Sequence, residues 1–289
     1  GLADAYSLLA DYGGALPDET YPKAKDAAMK ALALDDQLAE AHASLAFSVW
    51  AYEWDFARGE KLFRDAVELN PNYFQTHEWL ALFYSSLGRF DEALNEINLA
   101  QKLNPISASI PIIASQILFK CRRYEESLAQ NNRALQLEPS NSHILQSYGW
   151  ILPELGRAGD GVEFCRRAVE LSERSPSSLA ALGYALARAG KSEEAEKVLR
   201  EMLEARVNRY VSQFYAALVQ AALGHKKDAL RSLRQSEKDR LQAAHDYEVN
   251  LKAELEIRNL HEKLDELREK QWRELLTFQK QQIDFLKRM

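Results

Sequence analysis

The sequence predicts an all-α fold: a solenoid of about seven helical hairpins followed by a long C-terminal helix that reads as coiled coil. Three observations carry this. Pro71 to Pro105 spans 34 residues, and Pro105 to Pro139 spans 34 again, so the chain has a period. Between Pro71 and Pro105 lie two apolar-periodic runs. The first holds Trp79, Leu80, Leu82, Phe83 and Tyr84, the second Phe90, Ala93, Leu94, Ile97 and Ala100, and Leu87-Gly88-Arg89 parts them. Apolar residues recurring every three or four positions mark amphipathic helices, with glycine as the turn between them and proline as the stop. Third, His225 to Met289 contains neither glycine nor proline, so nothing interrupts a helix built largely of Glu, Lys, Leu, Gln and Arg.

Taken in order, residues 3–36 form an irregular first copy. Tyr6 and Leu9 begin its first helix, Gly13-Gly14 and Pro17 make a longer turn, and Ala24 to Leu34 supply the second helix. The second copy, Gln37 to Pro71, opens with His42, Leu45 and Ala46 and closes with Phe63, Ala66 and Asn70-Pro71; its turn, Trp50-Ala-Tyr-Glu-Trp-Asp-Phe, is aromatic and lacks glycine. The third copy, Asn70 to Pro105, is the best formed. The fourth, Ile106 to Pro139, has Pro111 early in its first helix, where proline is tolerated. The fifth, Ser140 to Glu173, has Tyr148-Gly149, Gly156 and Ala168. The sixth, from Arg174, opens on Ser175-Pro176, an N-cap followed by proline at the first helical position, and carries Leu182-Gly183, Gly190, Ala195 and Leu199. The seventh, from about Val207, keeps Gly224 and Ala229-Leu230. Decay at both ends suits the caps of a solenoid. The expected domains are 1–236, the repeats, and 237–289, the tail.

In the tail, Ala253, Ile257, Leu260, Leu264 and Leu267 step by four, three, four and three, after which the phase slips to Trp272, Leu276, Ile283 and Leu286. A 3.5-residue seam with a slip reads as coiled coil with a stutter. Self-association is therefore expected through Ile257, Leu260, Leu264, Leu267, Trp272, Leu276 and Ile283. A hairpin folding back on the array is the alternative.

The Asn70–Pro105 unit resembles the tetratricopeptide repeat. Leu80-Ala81 stands where that family has Leu-Gly, Tyr84 at its tyrosine, Gly88 at the turn glycine, Ala93 at the small residue of the second helix, Ile97 at the large apolar site, Ala100 at the next alanine and Pro105 at the closing proline. His77 replaces the usual tryptophan. The Tyr52-Glu53-Trp54-Asp55-Phe56 turn, with Phe63-Arg-Asp-Ala-Val-Glu-Leu-Asn-Pro after it, is similar to the arrays of bacterial winged-helix regulators, adenylate cyclases and serine/threonine kinases, which implies sensing or docking for an output domain. From about Arg234 the tail resembles the C-terminal cytosolic helix of the uncharacterised bacterial domain-of-unknown-function family 1003, carried by Arg234-Gln-Ser-Glu-Lys-Asp-Arg, by His245-Asp-Tyr-Glu-Val-Asn-Leu-Lys-Ala-Glu-Leu-Glu-Ile and by Leu260-His-Glu-Lys-Leu-Asp.

Composition narrows the function. Hydrophobic content of 46% and charged content of 28% suit a folded, soluble chain. A net charge of −6 argues against a general nucleic-acid binder. Cys121 and Cys165 fall in different repeats with no metal-ligand spacing and read as free thiols of a reducing, cytoplasmic compartment. No apolar run is long enough to span a membrane. The chain begins at Gly1 without a methionine or signal-peptide pattern, and reads as an excised or tagged fragment.

No catalytic constellation is present. His42, His77, His143, His225, His245 and His261 make no ligand spacing, His42 and His77 read as packing residues, and no phosphate loop or nucleophile elbow occurs. The expectation is a non-enzyme without cofactor, working through a surface. The resemblance implies that first helices line a groove for a protein or peptide partner. Its positions here are Phe47 and Trp50; Glu78, Trp79 and Leu82; Ile112, Gln116, Phe119 and Lys120; Gln146 and Trp150; Tyr184 and Arg188. The aromatics among them are expected to be exposed, the alternative being that other elements cover them as core. The family's carboxylate clamp is not reproduced, since its positions hold Ala43, Phe47, Glu78 and Leu82. Two further readings stay open: a small-ligand sensor that signals through an output domain, and a rigid arm on a structural or engineered tail.

Overall fold

The structure, a computed structural model, describes residues 1–11, 17–205, 211–236 and 238. Among these, every regular element is a helix, and the chain divides after Pro105 into two compact units. Unit 1 holds α1 (Leu2–Asp11), α2 (Pro17–Leu34), α3 (Ala39–Ala51), α4 (Phe56–Leu69), α5 (Phe74–Ser86) and α6 (Phe90–Leu103). Unit 2 holds α7 (Ser109–Lys120), α8 (Tyr124–Leu137), α9 (Ser142–Glu154), α10 (Ala158–Leu171), α11 (Pro176–Arg188), α12 (Ser192–Glu204) and α13 (Gln213–Ala222), followed by α14 over 226–236. Consecutive helices pair as hairpins. The oligomerisation positions Ile257, Leu260, Leu264, Leu267, Trp272, Leu276 and Ile283 lie outside the described residues.

The hairpins share a left-handed residue in their turns. The residue in the left-handed region falls at 54, 88, 122, 156, 190 and 224, every 34 residues. The next N–H then reaches back, as from Arg89 to the Tyr84 carbonyl at 2.9 Å and from Lys191 to Leu186 at 2.9 Å. This satisfies carbonyls that the helix end leaves without partners. Four of the six positions are glycine. Trp54, with φ of 59°, and Arg122, with φ of 60°, hold the same conformation with a side chain, at a cost of about 1–2 kcal/mol each. The aromatic turn of the second copy keeps the left-handed residue but is one residue longer: the Asp55 N–H reaches the Val49 carbonyl, six residues back, at 3.3 Å.

Two columns of small residues let the helices approach. Gly59, Ala93, Ser127, Gly161, Ala195 and Ala229 recur on the second helices, and Ala81, Ser115, Gly149, Gly183 and Ala217 on the first; all are buried. Large apolar side chains fill the rest. In unit 2, Leu179, Leu186, Met202 and Val219 are essentially inaccessible to solvent, and burying each contributes about 1.5–3 kcal/mol. Ser175 caps α11 by accepting from the Ser178 N–H, with Pro176 at the first helical position as expected. One boundary differs. α2 starts at Pro17, because proline loses no hydrogen bond at a helix N-terminus.

His77 is a packing residue with a pH consequence. The ring is buried; its Nε2–H donates to the Pro71 carbonyl at 2.9 Å, and Nδ1 lies 2.6 Å from Oε2 of Glu96. Both nitrogens thus face acceptors, which suits imidazolium. Burial opposes the charge, but the hydrogen bond to Glu96, that to Pro71 and the Glu96 charge outweigh it and raise the His77 pKa. A raised histidine pKa adds stability that is complete below the unfolded value of about 6.5 and is lost as pH rises through the folded value. Urea midpoints of the wild type should therefore decline through this window relative to those of Glu96→Gln. Parallel profiles for the two proteins would contradict the pairing.

Candidate functional site

The groove positions separate into covered and open residues. In unit 1, Phe47, Glu78 and Trp79 are buried, so their expected exposure is not found; in unit 2 the same holds for Tyr184. For the aromatics of unit 1 the reason is ring-to-ring packing, within α3 and with its neighbours α2 and α5. The Phe47 ring lies 6.4 Å from Tyr21, 5.4 Å from Trp50 and 5.0 Å from Trp79. Trp50 and Leu82 are half-buried. Unit 1 thus spends most of its aromatic surface on its own core.

Unit 2 keeps more of the row open. Gln116 and Lys120 are exposed; Ile112, Phe119, Gln146, Trp150 and the Arg188 stem are at least partly accessible. α9 and α11 pack side by side, which sets the Trp150 ring 5.1 Å from Tyr184. The Tyr184 hydroxyl donates to Oε1 of Glu154 at 2.6 Å. Burial first, then this bond and the Glu154 charge, raise the Tyr184 pKa, so the phenol stays protonated as a donor. The Arg188 guanidinium is 5.9 Å from the Tyr184 ring centre, 3.6 Å from Glu154, and donates to the Pro153 carbonyl at 3.4 Å. Near the start of the same helices, Ser178 donates to Oε1 of Gln146 at 3.1 Å, and Gln146 Nε2 lies 3.2 Å from His143 Nδ1. Burial lowers the His143 pKa, which favours the neutral, accepting ring.

Sequence reasoning missed Glu154 and Tyr124. Glu154 has the repeat position of Lys120 and Arg188, 34 residues from each, so the period could have found it. Tyr124 opens α8; burial raises its pKa, with the Glu154 charge adding to it and that of Arg188 opposing. Phe119 lies 5.4 Å from the Tyr124 ring. The result is an aromatic floor, Trp150 over Tyr184, with Glu154 and Arg188 at its rim. Hydrogen bonds and packing hold the floor in place, and such preorganised aromatic and arginine groups anchor partners at low entropic cost. Among the described residues, no three His, Cys, Asp or Glu side chains gather as a metal would require.

Comparison with known proteins bears on the fold. Residues 62–95 match the tetratricopeptide repeat profile, and residues 229–277 match one described as a protein of unknown function, DUF1003. No curated protein sequence matches the chain. Among solved structures, a tetratricopeptide repeat protein from Parabacteroides merdae superposes with a TM-score of 0.60 at 12% identity, covering 82% of this chain and 91% of its own. The fold is a tetratricopeptide-type α-solenoid. Pseudomonas aeruginosa pilF gives 0.53 at 15% identity, over 74% of this chain and 98% of its own. A thermophilic tetratricopeptide repeat protein from Thermus thermophilus gives 0.55 at 18% identity, over 64% and 98%. At these identities the likeness concerns the fold alone. No described helix of the solenoid is long and apolar enough to cross a membrane.

Proposed function

We propose that the chain is a non-catalytic cytoplasmic interaction scaffold: it docks a peptide or helix on the first-helix face of unit 2 and self-associates through the helix that follows Ser236. The observation that carries the docking reading is the half-open Trp150 ring on Tyr184, beside Arg188 and Glu154. A stationary aromatic floor with charges of both signs at its edge suits a mixed apolar and polar segment better than a small metabolite, since pockets for small ligands are enclosed. Solenoids present extended surfaces of this kind for partners. The resemblance of the second repeat to arrays of bacterial regulators supports a scaffold that serves an output domain.

Selection of displayed random peptides on the full chain, followed by fluorescence-polarisation titration, tests the docking face. Trp150→Ala should weaken the selected peptides by about 30-fold, the loss expected of an aromatic anchor worth about 2 kcal/mol. Arg188→Glu, at the rim of the face, should weaken acidic peptides and spare basic ones. Wild-type affinity in both variants, at a temperature where all are folded, would place docking elsewhere.

A further inference from the structure

The last described helix reverses the charge of the chain. Residues 226–238 hold Lys226, Lys227, Arg231, Arg234 and Lys238 against Asp228 and Glu237, in a protein of net charge −6. Lys227, Arg231, Arg234 and Lys238 step by four, three and four residues, so they form one stripe along a helix, about 17 Å long at 1.5 Å per residue. All four are exposed, and with Leu230 and Gln235 they line one shallow depression. The opposite face is the one that packs: Ala229 is buried, and Ser232 donates to Oε1 of Gln220 on α13 at 2.9 Å.

The same repeat positions are exposed on the preceding second helices, where they hold mixed charge: Glu193, Lys197, Arg200 and Glu204 on α12, and Gly159, Glu163, Arg166 and Glu170 on α10. Solvation of this face therefore does not require four cations. Among the described residues, the one carboxylate paired with the stripe is Asp228, 2.9 Å from Arg231. Like charges three and four residues apart repel, a cost that an anionic partner removes. Leu230, at the edge of the stripe, is 54% exposed, whereas Val162, at the same repeat position in α10, is fully buried. The face thus offers cations on long, flexible stems beside an open apolar side chain. A bilayer with anionic headgroups meets both, since its charge lies at the surface and its acyl region just beneath. Nucleic acid supplies no apolar layer, and the net charge of −6 opposes it. Acidic peptides are held by grooves and fixed forks of donors, whereas this face is shallow.

We propose that the stripe Lys227, Arg231, Arg234 and Lys238, with Leu230, docks the chain on a membrane surface that carries anionic phospholipid. The site is separate from the aromatic floor of α9 and α11 and does not depend on peptide docking there. Cosedimentation of the full chain with vesicles tests it, using phosphatidylcholine alone and phosphatidylcholine with about 30% phosphatidylglycerol. The wild type should partition onto the anionic vesicles and not onto the neutral ones, and added salt should release it. Each cation near such a surface contributes about a fivefold gain, so R231Q/R234Q should weaken partition by about 30-fold and the quadruple change (K227Q, R231Q, R234Q, K238Q) by about 100-fold or more. L230A should weaken it several-fold. K197Q/R200Q removes two cations from the same repeat positions on α12 and should leave partition unchanged. Circular dichroism of each variant shows whether helix content is kept. Equal losses in K197Q/R200Q and R231Q/R234Q would overturn the site, since net charge alone would then set the binding. Quadruple-variant partition equal to that of the wild type would overturn it as well. Wild-type binding to poly-glutamate or an oligonucleotide as tight as to the anionic vesicles, at the same salt, would make the partner a soluble polyanion and overturn the membrane assignment.

Discussion

Trp79→Ala is expected to destabilise unit 1 by about 3–5 kcal/mol, the cost of emptying a core site of an indole. Trp79 is 5% exposed and its ring lies 5.0 Å from that of Phe47, which continues the row to Tyr21 and Trp50. Truncation removes the transfer free energy of the ring and leaves a cavity beside Phe47, whose ring cannot pivot far without losing its contacts to Tyr21 and Trp50. For a unit of this size, each kcal/mol shifts the melting temperature by about 4–8 °C, so a fall of roughly 15 °C or more should appear in the near-ultraviolet dichroism that reports aromatic packing. Trp79→Phe, which keeps most of the apolar volume, should recover much of the loss. Peptide docking on unit 2 should be unaffected below the melting transition. A Trp79→Ala protein that melts like the wild type would place the indole on an open surface.

Trp79 also shows where sequence reading stops. The 34-residue period assigns each residue a position in the repeat, and through it the helices, the small-residue columns and the Ser175-Pro176 cap follow from local rules of propensity and sterics. Whether a first-helix position is open depends instead on the side chains that reach it from neighbouring hairpins. Tyr21, Phe47 and Trp79 are large enough to meet one another, so positions expected to face solvent become core. The α7 residues at the repeat positions of Trp79 and Phe47, Ile113 and Ser115, are buried as well, and the open residues there, Gln116 and Lys120, lie at other positions. The left-handed residues at Trp54 and Arg122 were hidden for another reason. Glycine marks such a turn when present, but its absence is silent, and only the backbone angle reveals that the left-handed residue is kept. Glu154 is the opposite case: the period alone pairs it with Lys120 and Arg188, and it escaped because a lone glutamate near a helix end carries no chemical signal of its own.

The docking face depends on one close approach, and Gly149→Ala should expose it. A methyl group added at Gly149 would overlap the Cys165 Sγ and sit 3.0 Å from the Ala181 carbonyl oxygen. The sulfur is on α10 and fully buried, and the oxygen belongs to the α11 backbone, so α9 must move away from both. Overpacking of this kind costs up to about 3 kcal/mol, offset by the roughly 1 kcal/mol by which alanine exceeds glycine in helix propensity; a net loss of about 2 kcal/mol is expected. Other glycines of unit 2 calibrate the effect. At Gly183 the nearest atoms are Val219 methyl carbons at 3.0 and 3.1 Å, which can yield, and at Gly159 nothing lies within 4 Å. Alanine should therefore cost less at Gly183 and be neutral or stabilising at Gly159. Cys165→Ala removes the conflict with sulfur but not the one with the carbonyl, so the Gly149→Ala/Cys165→Ala pair should be less destabilised than the sum of the single changes by about 1 kcal/mol or more. Trp150 follows Gly149 on α9 and rests on Tyr184 of α11 at 5.1 Å. Widening the α9–α11 spacing must loosen that contact, and peptide affinity should fall in Gly149→Ala at temperatures where the variant is still folded. Equal melting of Gly149→Ala and Gly159→Ala would mean that α9 and α11 do not approach this closely, and that the aromatic floor is held by something else.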